Sequence, residues 1–398
     1  MYSTLQLTVI GKVFKPNKGK VLSLNRDLDR YMECVRWYLS FKPTSREKLH
    51  NDAYKKAKQR FELKTALLQT ARDKAVEIYT SFRKIKGKTS EIHLRKCCMR
   101  FDERSFKFGR VDKELTPYWL HLSLSGTWGR TAFPIVFGNR RNLIERALNG
   151  DFAIKSVEMK KRRGKWYAHF TLAREVEVFG SPESVIGIDR GEKNFAVAVG
   201  IQKDSPTKPR RGTFWSGAEI KALRGKYHHI RRNLGRKKLP QEIKKIKGRL
   251  SRKTDQLLHT LAGEIVAYAE QFKKPVIALE DLTHIRNRFK KKKRGKKLNR
   301  RMNSLPFRKL QDYIEYKALK KGIAVEYINP ENTTKECHRC GTINHVGYAR
   351  TYECPKCGLI YDRDLNACIN IARRITSSLG WGTRECPEQP NEVSVVKT

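Results

Sequence analysis

Three acidic side chains that stand far apart in this 398-residue chain are each placed where a metal-dependent hydrolase needs them. Asp189 and Glu280 close apolar runs that predict buried strands, and Asp364 opens an apolar helix. Carboxylates are the hard oxygen ligands that Mg²⁺ prefers. Two such ions about 3.5 to 4 Å apart activate water and neutralise the leaving oxygen in phosphodiester hydrolysis. We therefore predict these three acids as catalytic residues that hold two Mg²⁺ ions, with Asp189 bridging them.

Each acid also has a simpler structural explanation. Asp364 could cap the last helix, where its carboxylate would satisfy free amide groups. Asp189 and Glu280 could merely end their strands. Burial of an unpartnered acid is costly, however, so three acids in such apolar settings favour the catalytic interpretation. The neighbouring Asp281 and Asp362 are the residues most easily mistaken for ligands.

A second group of residues has the spacing of a metal site. Two Cys-x-x-Cys-Gly knuckles, separated by 13 residues, contain Cys337, Cys340, Cys354 and Cys357. Each knuckle offers two thiolates from one tight turn, and two knuckles complete a tetrahedral site for one structural Zn²⁺. Iron of the rubredoxin type uses similar knuckles and remains an alternative. His338 and His345 are not needed as ligands, and the five remaining cysteines are odd in number, which favours a reducing compartment.

The charge balance indicates a polyanionic partner. Lysine and arginine number 86 against 40 acids, a formal net charge of +46. Residues 284–301 contain eleven basic residues and no acid, directly after the strand that ends at Glu280, and residues 221–253 contain fourteen more. Such a run is often a solvated loop or a nuclear address. Its position favours contact with a phosphate backbone, for which we select Arg286, Arg288, Lys290, Lys291 and Arg350.

Other features narrow the class of protein further. There is no apolar run of about 18 residues and no signal-peptide pattern, so we expect a soluble intracellular protein without a membrane partner. Several aromatic residues could stack on bases. For these we favour a place in the hydrophobic core: Trp37, Tyr118, Trp119 and Trp128.

The elements that must position the acids follow from the apolar periodicity. An N-terminal strand with period two precedes a helical segment with a basic outer face, and strands return after residue 96. A boundary at Pro182 separates this β domain with inserted helices from a second region. There, hairpin strands come first and strand–helix alternation follows, the order expected of an RNase H-like fold. The segments of this second region are strands at 185–199, helices at 217–270, a strand ending at 280, a helix after 306, a strand at 323–328 and a last helix after the cysteines.

These motifs together resemble the split RuvC motifs of TnpB proteins, the insertion-sequence-encoded ancestors of type V CRISPR effectors. The resemblance covers residues 183–376 through Gly187-Ile188-Asp189-Arg190-Gly191, Leu279-Glu280-Asp281-Leu282, the paired knuckles and residues 362–371. It departs from the family pattern at Thr333-Thr334 and Cys368, both small changes. The resemblance implies an α/β multi-domain protein with a RuvC nuclease domain and inserted zinc ribbon, preceded by a wedge-like β barrel that carries a helical recognition insert.

The expected domains follow from this resemblance. They are the barrel at 1–21 and 96–181, the helical insert at 22–95, the nuclease domain at 182–335 and 359–378, the zinc ribbon at 336–358 and a disordered tail at 379–398.

The resemblance also implies an activity: cleavage of double-stranded DNA next to a short motif, directed by a noncoding guide RNA in a ribonucleoprotein with one protein copy. The resemblance further implies a prokaryotic, cytoplasmic protein that associates with the nucleoid when it is bound to DNA. The alternatives are a miniature type V CRISPR effector, a non-cleaving nucleic-acid-binding regulator of transposition, and a strand-transfer transposase or junction resolvase.

Overall fold

The computed structural model describes residues 2–84, 92–94, 98–111, 116–206, 208–281, 305–345 and 349–381. The chain divides into two compact units, Thr4–Glu175 and Val176–Thr398 with Met1–Ser3. This division lies close to the boundary predicted between residues 181 and 182. No helix in the described ranges is both long enough and apolar enough to cross a membrane.

A seven-stranded, barrel-like sheet forms the frame of the first unit. Its strand order is β2-β6-β7-β1-β5-β4-β3. Buried and exposed residues alternate along β1 and β7, as the period-two pattern predicts, and Phe101, Phe133 and Phe170 are among the largest side chains in the core. The strands are β1 (Tyr2–Val13), β2 (Cys98–Asp102), β3 (Phe106–Arg110), β4 (Tyr118–Leu122), β5 (Thr131–Phe137), β6 (Ala153–Arg162) and β7 (Lys165–Glu177).

Three helices follow β1 in the chain, as the sequence predicts. They are α1 (Lys18–Ser40), α2 (Arg46–Arg60) and α3 (Thr65–Arg83). The first begins at Lys18 and not at residue 22, because the side chain of Asn17 accepts a hydrogen bond from the amide of Lys20 and caps the helix. A fourth helix, α4 (Arg141–Leu148), lies between β5 and β6, and Gly150 follows it with a φ of 92°.

The second unit contains a five-stranded sheet in the order β10-β9-β8-β11-β12. Its first three strands pair antiparallel, whereas β8, β11 and β12 run parallel. The parallel strands β8 and β11 are buried on both faces, so they consist almost wholly of apolar residues. The strands are β8 (Ser184–Asp189), β9 (Asn194–Gln202), β10 (Thr213–Ser216), β11 (Pro275–Glu280) and β12 (Ala324–Ile328).

Helices cover both faces of this sheet. The long α6 (Pro240–Ala269) and α7 (Phe307–Lys320) pack with Ile186, Ile188 and Ile277 on one face, and α5 (Ala218–Arg236) precedes them. The last helix, α8 (Arg363–Ser378), packs with Val185, Val276 and Ala278 on the other face. A two-stranded hairpin of β13 (Thr351–Glu353) and β14 (Ile360–Asp362) lies in the cysteine-rich segment before α8.

The basic run and the C-terminal tail are two segments outside the regular elements for which the sequence makes predictions. The residues chosen from the basic run, Arg286, Arg288, Lys290 and Lys291, lie outside the described residues. The tail expected from residue 379 begins with an ordered side chain, since Trp381 is only 9% exposed and packs in the core beneath α8. An isolated tryptophan after a helix gives no periodic pattern, which is why the sequence did not reveal this contact.

Candidate active site and metal centre

Strand alternation and register bring Asp189 and Glu280 to one edge of the five-stranded sheet. Residues 185, 187 and 189 share the face of β8 that α8 covers, and residues 276, 278 and 280 share the same face of β11. Because these parallel strands are in register at Leu279 and Ile188, the acids that follow them are neighbours at the carboxyl ends. The two carboxylates are therefore adjacent, on the face toward α8.

Helix α8 supplies the third acid. Asp362, not Asp364, is its cap: the Asp362 side chain accepts hydrogen bonds from the amides of Asp364 and Leu365. The helix lies very close to β8, since a Cβ on Gly187 would stand 2.0 Å from the carbonyl oxygen of Cys368. Asp364, in the first turn, is thus free of the capping role and is 9% exposed at the same edge of the sheet.

The electrostatics show that the three acids interact. Burial, followed by repulsion from the carboxylates of Glu280 and Asp364, raises the pKa of Asp189 from 3.8 to about 7. Nearby donors offset only part of the negative charge. The side-chain amide of Asn194 donates to Asp364 Oδ2 over 2.9 Å, and Arg350 Nη1 stands 3.6 Å from the same oxygen. The arrangement is therefore one of like charges that attract a cation.

Glu280 is oriented by a buried hydroxyl. Thr333, which is 2% exposed, donates its Oγ1 hydrogen to Glu280 Oε1 over 2.5 Å. The carbonyl oxygen of Thr333 in turn accepts a hydrogen bond from the side chain of Asn370 on α8. Through Thr333, the helix that contains Asp364 also fixes the orientation of Glu280.

A buried arginine joins the ends of β8 and β11. The backbone amide of Arg190 donates to Asp189 Oδ1, and its guanidinium donates to the carbonyl oxygen of Glu280, over 2.8 and 2.7 Å respectively. Its other terminal nitrogen donates to Gln311 of α7 over 2.7 Å. Burial lowers the pKa of Arg190, but its positive charge compensates part of the negative charge of the acids.

The four cysteines lie together, as their spacing predicts, in a group that could hold a metal ion. Among the described residues, they are the one group of three or more His, Cys, Asp or Glu side chains whose ligand atoms all lie within 4.8 Å of one another. The Sγ atoms of Cys337 and Cys357 are 3.7 Å apart, and those of Cys340 and Cys354 are 3.5 Å apart. A tetrahedron with Zn–S bonds of about 2.3 Å has sulfur atoms about 3.8 Å apart, so the cluster fits Zn²⁺.

Glycine allows both knuckles to close in the same way. Gly341 and Gly358 have φ angles of 75° and 67°, and their amides donate to the carbonyl oxygens of Cys337 and Cys354. These backbone angles favour glycine over other residues. The two glycines thereby place the paired thiols of each knuckle on one side of its turn.

Two asparagines connect the cysteine cluster to α8. Asn366 accepts hydrogen bonds at Oδ1 from the amide and ring Nδ1 of His338, both over 3.0 Å, and donates to the carbonyl oxygen of Glu336. Asn370 donates to the carbonyl oxygens of Glu336 and Thr333. His338 is thus not a metal ligand but part of this contact, and burial lowers its pKa to about 4.

The structure brings Asp189, Glu280 and Asp364 to one edge of the sheet. Their carboxylate oxygens do not, however, all lie within 4.8 Å of one another, as the cysteine sulfur atoms do. Wider spacing suits ligands that surround a pair of ions. The sequence reasoning missed the residues that hold the acids in place, namely Asn194, Arg190, Thr333, Asn366 and Asn370. In the chain, the closeness of Arg190 to Asp189, and of Asn366 and Asn370 to Asp364, could have pointed to some of them.

Comparison with known proteins agrees with this architecture. Residues 307–371, from α7 into α8, match the family described as Cas12f1-like, TNB domain. Among solved structures, a Cas12f1 chain in a complex with sgRNA and target DNA aligns with a TM-score of 0.66 at 16% identity, covering 89% of this chain and 82% of that one. The Cas_phi3 mini-RNA-guided endonuclease aligns with a TM-score of 0.55 at 12% identity, covering 96% and 93%. The fold therefore belongs to the class of the compact Cas12 chains.

Sequence relatives define the family more narrowly. A TnpB-like protein of Methanocaldococcus jannaschii is 31% identical over 258 residues, which cover 64% of this chain and 89% of the relative. The CRISPR-associated endodeoxyribonuclease Cas12f1 of Sulfoacidibacillus thermotolerans is 28% identical, but the match covers only 57% of its length. The chain belongs to the TnpB-like family.

Proposed function

We propose that this protein is an RNA-guided DNA endonuclease of the TnpB type, which cuts double-stranded DNA matched to its guide next to a short motif. The convergence of Asp189, Glu280 and Asp364 at one edge of the sheet carries this proposal. Family membership and the net charge of +46, which suits a long RNA together with DNA, support it. In this proposal the five-stranded sheet with α8 is a RuvC-type, RNase H-like domain that acts on DNA in the cytoplasm of a prokaryotic cell.

The three carboxylates would hold two Mg²⁺ ions, and the residues present fit that role because they offer only hard oxygen atoms. When bound, the ions supply an activated water and neutralise charge on the leaving oxygen. Asp189 must lose its proton to bind them, which its pKa of about 7 permits at and above neutral pH. Thr333 orients the Glu280 carboxylate, and Arg190 holds the two strand ends together.

Arg350 has a separate role in this proposal. Its guanidinium lies beside Asp364, at the edge of the acidic group and 39% exposed at its side chain. If Asp364 served as a metal ligand, its carboxylate would no longer need the arginine as a partner. Arg350 would then be available to contact a phosphate of the substrate, together with the basic residues Arg286, Arg288, Lys290 and Lys291.

The cysteine cluster would hold one structural Zn²⁺, which supplies no chemistry in this reaction. Its role is to fold the ribbon segment that Asn366 and Asn370 attach to α8. Since Thr333 belongs to the same contact, the ribbon supports the orientation of Glu280.

Sequence identity favours a TnpB-type protein over a miniature CRISPR effector by a small margin. The TnpB-like relative is 31% identical over 258 residues, and the Cas12f1 relative is 28% identical over 258 residues. Sequencing the RNA that co-purifies with the protein distinguishes a TnpB-type protein from a CRISPR effector, since a CRISPR effector would carry repeat-derived RNA. In either case we propose that the ribonucleoprotein contains a single protein copy.

The test is cleavage by the purified ribonucleoprotein, with Mg²⁺, of duplex DNA matched to the guide segment of its own RNA. Replacement of Asp189 by Asn should reduce the cleavage rate by on the order of a thousandfold, because metal ions supply several kcal/mol of transition-state stabilisation. The matched control is Asp281→Asn, which neutralises the acid next to Glu280 and should leave the rate within about threefold of wild type. Equal rates for wild type and Asp189→Asn would refute the site.

A further inference from the structure

Trp128 is fully exposed on a loop that is otherwise firmly attached to its surroundings. The loop, residues 123–130, joins β4 to β5 in the first unit, and we call it the Trp128 loop. The exposed fraction of Trp128 is 105%, so the ring contacts almost nothing, whereas Ser125 in the same loop is 5% exposed. The expectation that this tryptophan belongs to the core is therefore wrong, and the solvent-exposed indole needs another explanation.

Side chains of the helical insert hold the backbone of the loop. The carboxylate of Asp27 accepts from the amide of Ser125 over 2.7 Å, and Arg26 Nη2 donates to the Ser125 carbonyl oxygen over 2.6 Å. The ammonium group of Lys64 donates to the carbonyl oxygens of Thr127 and Gly129. The backbone on both sides of Trp128 is thus hydrogen-bonded to α1 and to the residue that precedes α3.

Two glycines determine how the loop presents the ring. Gly126 and Gly129 both have a φ of 70°, a conformation that other residues seldom adopt. A Cβ on Gly126 would also stand 2.8 Å from Arg26 Nη2, so the guanidinium that donates to Ser125 would have to shift. The loop therefore turns tightly on either side of Trp128 and projects it outward from a fixed base. Fixing an aromatic side chain in advance lowers the entropy lost when a ligand binds it.

The charged residues around the loop indicate which class of ligand Trp128 would bind. Arg26, Lys64 and Arg130 are cationic, while the carboxylate of Asp27, which accepts from the Ser125 amide, is 0% exposed. A flat aromatic ring beside cations is the combination that binds unpaired nucleotides, because the ring stacks on a base while the cations attract phosphate. Bases within a DNA duplex already have stacked neighbours, whereas folded RNA exposes unpaired bases in its loops and bulges.

We propose that the indole of Trp128 stacks on an unpaired base of the guide RNA, with Arg130 contacting the adjoining phosphate. The identity of the RNA rests on the proposed function, but the stacking contact itself does not require cleavage. It makes the Trp128 loop part of the surface that binds RNA in the first unit. Any base offers a face for stacking, so this contact would contribute affinity without selecting sequence.

The first experiment locates the contact in the intact complex. The full chain is purified with its RNA, irradiated with short-wave ultraviolet light without DNA or Mg²⁺, and digested for peptide mass spectrometry. A nucleotide attached to the peptide containing Trp128 is the expected result. Attachment only after duplex DNA is added, or no attachment at Trp128 under either condition, would overturn the proposal.

The second experiment measures affinity with a defined probe. Protein freed of its RNA is titrated with a single-stranded oligouridylate of about 16 nucleotides. Replacement of Trp128 by Ala should raise the Kd by about 5- to 100-fold, the range expected for loss of one stacked base, while Trp128→Phe should stay within about threefold of wild type. Phe41→Ala is the matched control, since Phe41 is also exposed, at 42%, in the same unit.

Salt dependence separates stacking from charge. Trp128→Ala should leave the slope of log Kd against log salt unchanged, whereas Arg130→Ala should reduce it by about 0.7. Equal affinities for wild type and Trp128→Ala would overturn the proposal. An equally large rise in Kd for Trp128→Ala and Trp128→Phe would also overturn it, since phenylalanine keeps an aromatic ring for stacking. Because the titrations contain no Mg²⁺ and no DNA, their outcome is independent of whether the protein cleaves DNA.

Discussion

Carboxylates are placed in opposite ways in the two units of this protein. In the first unit, Glu158 lies among cations: Lys74 and Arg100 are each 3.3 Å from its Oε1, and Lys160 is 2.8 Å from its Oε2. Although burial opposes the charge, the hydrogen bond from Lys160 and the charge of Lys74 lower the pKa of Glu158 to about 2. In the second unit, Asp189 is beside two further carboxylates, and its pKa rises to about 7.

We interpret Glu158 as a charge that stabilises the fold, and the acids around Asp189 as charges that a bound cation would neutralise. The salt bridges of Glu158 satisfy its negative charge within the protein, so that group contributes to stability as it stands. Among the described residues, the acids around Asp189 are partly offset by neighbouring donors and cations, namely Arg190, Asn194, Thr333, Arg350 and Arg363. Perturbed pKa values of this second kind cluster at functional sites. The comparison predicts that neutralising a carboxylate has opposite consequences in the two places.

The largest effect is expected at the cysteine cluster, where four like groups also gather. We expect about one zinc per chain by elemental analysis. Cys354→Ala should abolish zinc binding and make the ribbon segment sensitive to protease, because such sites couple metal binding to folding with apparent free energies of about 10 to 16 kcal/mol. Cys34→Ala, which removes a buried thiol outside the cluster, should keep the zinc. Iron without zinc in the native protein would contradict the assignment.

One isosteric substitution of a carboxylate in each unit tests whether the two regions differ in this way. Glu158→Gln should lower the free energy of unfolding by about 2 to 3 kcal/mol, below the range for wholly buried pairs because its partners are partly exposed. Glu280→Gln, measured without Mg²⁺, should cause no loss, since the amide oxygen still accepts the Thr333 hydroxyl and repulsion is relieved. Denaturant unfolding measures both. A similar loss of stability in both variants would remove the distinction between the two regions.

A smaller effect is expected where the cysteine-rich segment contacts α8, the helix that contains Asp364. Asn370→Ala removes the donor to two carbonyl oxygens, of Thr333 and Glu336, and should cost about 1 to 3 kcal/mol. The loss should also weaken Mg²⁺ binding, because Thr333 orients Glu280. Ser377→Ala, on an exposed position of the same helix, is the control. Unchanged stability and metal affinity in Asn370→Ala would show that the ribbon and the acids are not coupled.

The two carboxylates should also give pH dependences of opposite sign in the metal-free protein. Folding raises the pKa of Asp189 from 3.8 to about 7, so the folded state binds more protons between those values and the contribution of this group to stability falls as pH rises through that range. Folding lowers the pKa of Glu158, so its contribution is present above pH 4.5 and is lost as pH falls toward 2. Unfolding curves of wild type, Asp189→Asn and Glu158→Gln measure each difference. Parallel curves for wild type and Asp189→Asn would contradict the shift.

The sequence allowed the acids and the cysteines to be predicted because their signals are local. A carboxylate at the end of an apolar strand and a paired Cys-x-x-Cys-Gly knuckle can each be recognised within ten residues. The supporting contacts could not be found in this way. Arg190 meets Gln311 across 121 positions of the chain, and Thr333 meets Glu280 across 53, so only the folded sheet reveals either pair. Trp128 was misjudged because an aromatic residue in a short loop gives no pattern of burial.

The central claim is that Asp189, Glu280 and Asp364 together bind divalent cations. The most direct test is a titration of the full chain with Mn²⁺, a spectroscopic substitute for Mg²⁺, followed by electron paramagnetic resonance at a pH above the pKa of Asp189. The account predicts a pair of magnetically coupled ions in the wild type that is lost in Asp189→Asn and retained in Asp281→Asn. The same coupled pair in the wild type and in a variant lacking all three carboxylates would contradict it.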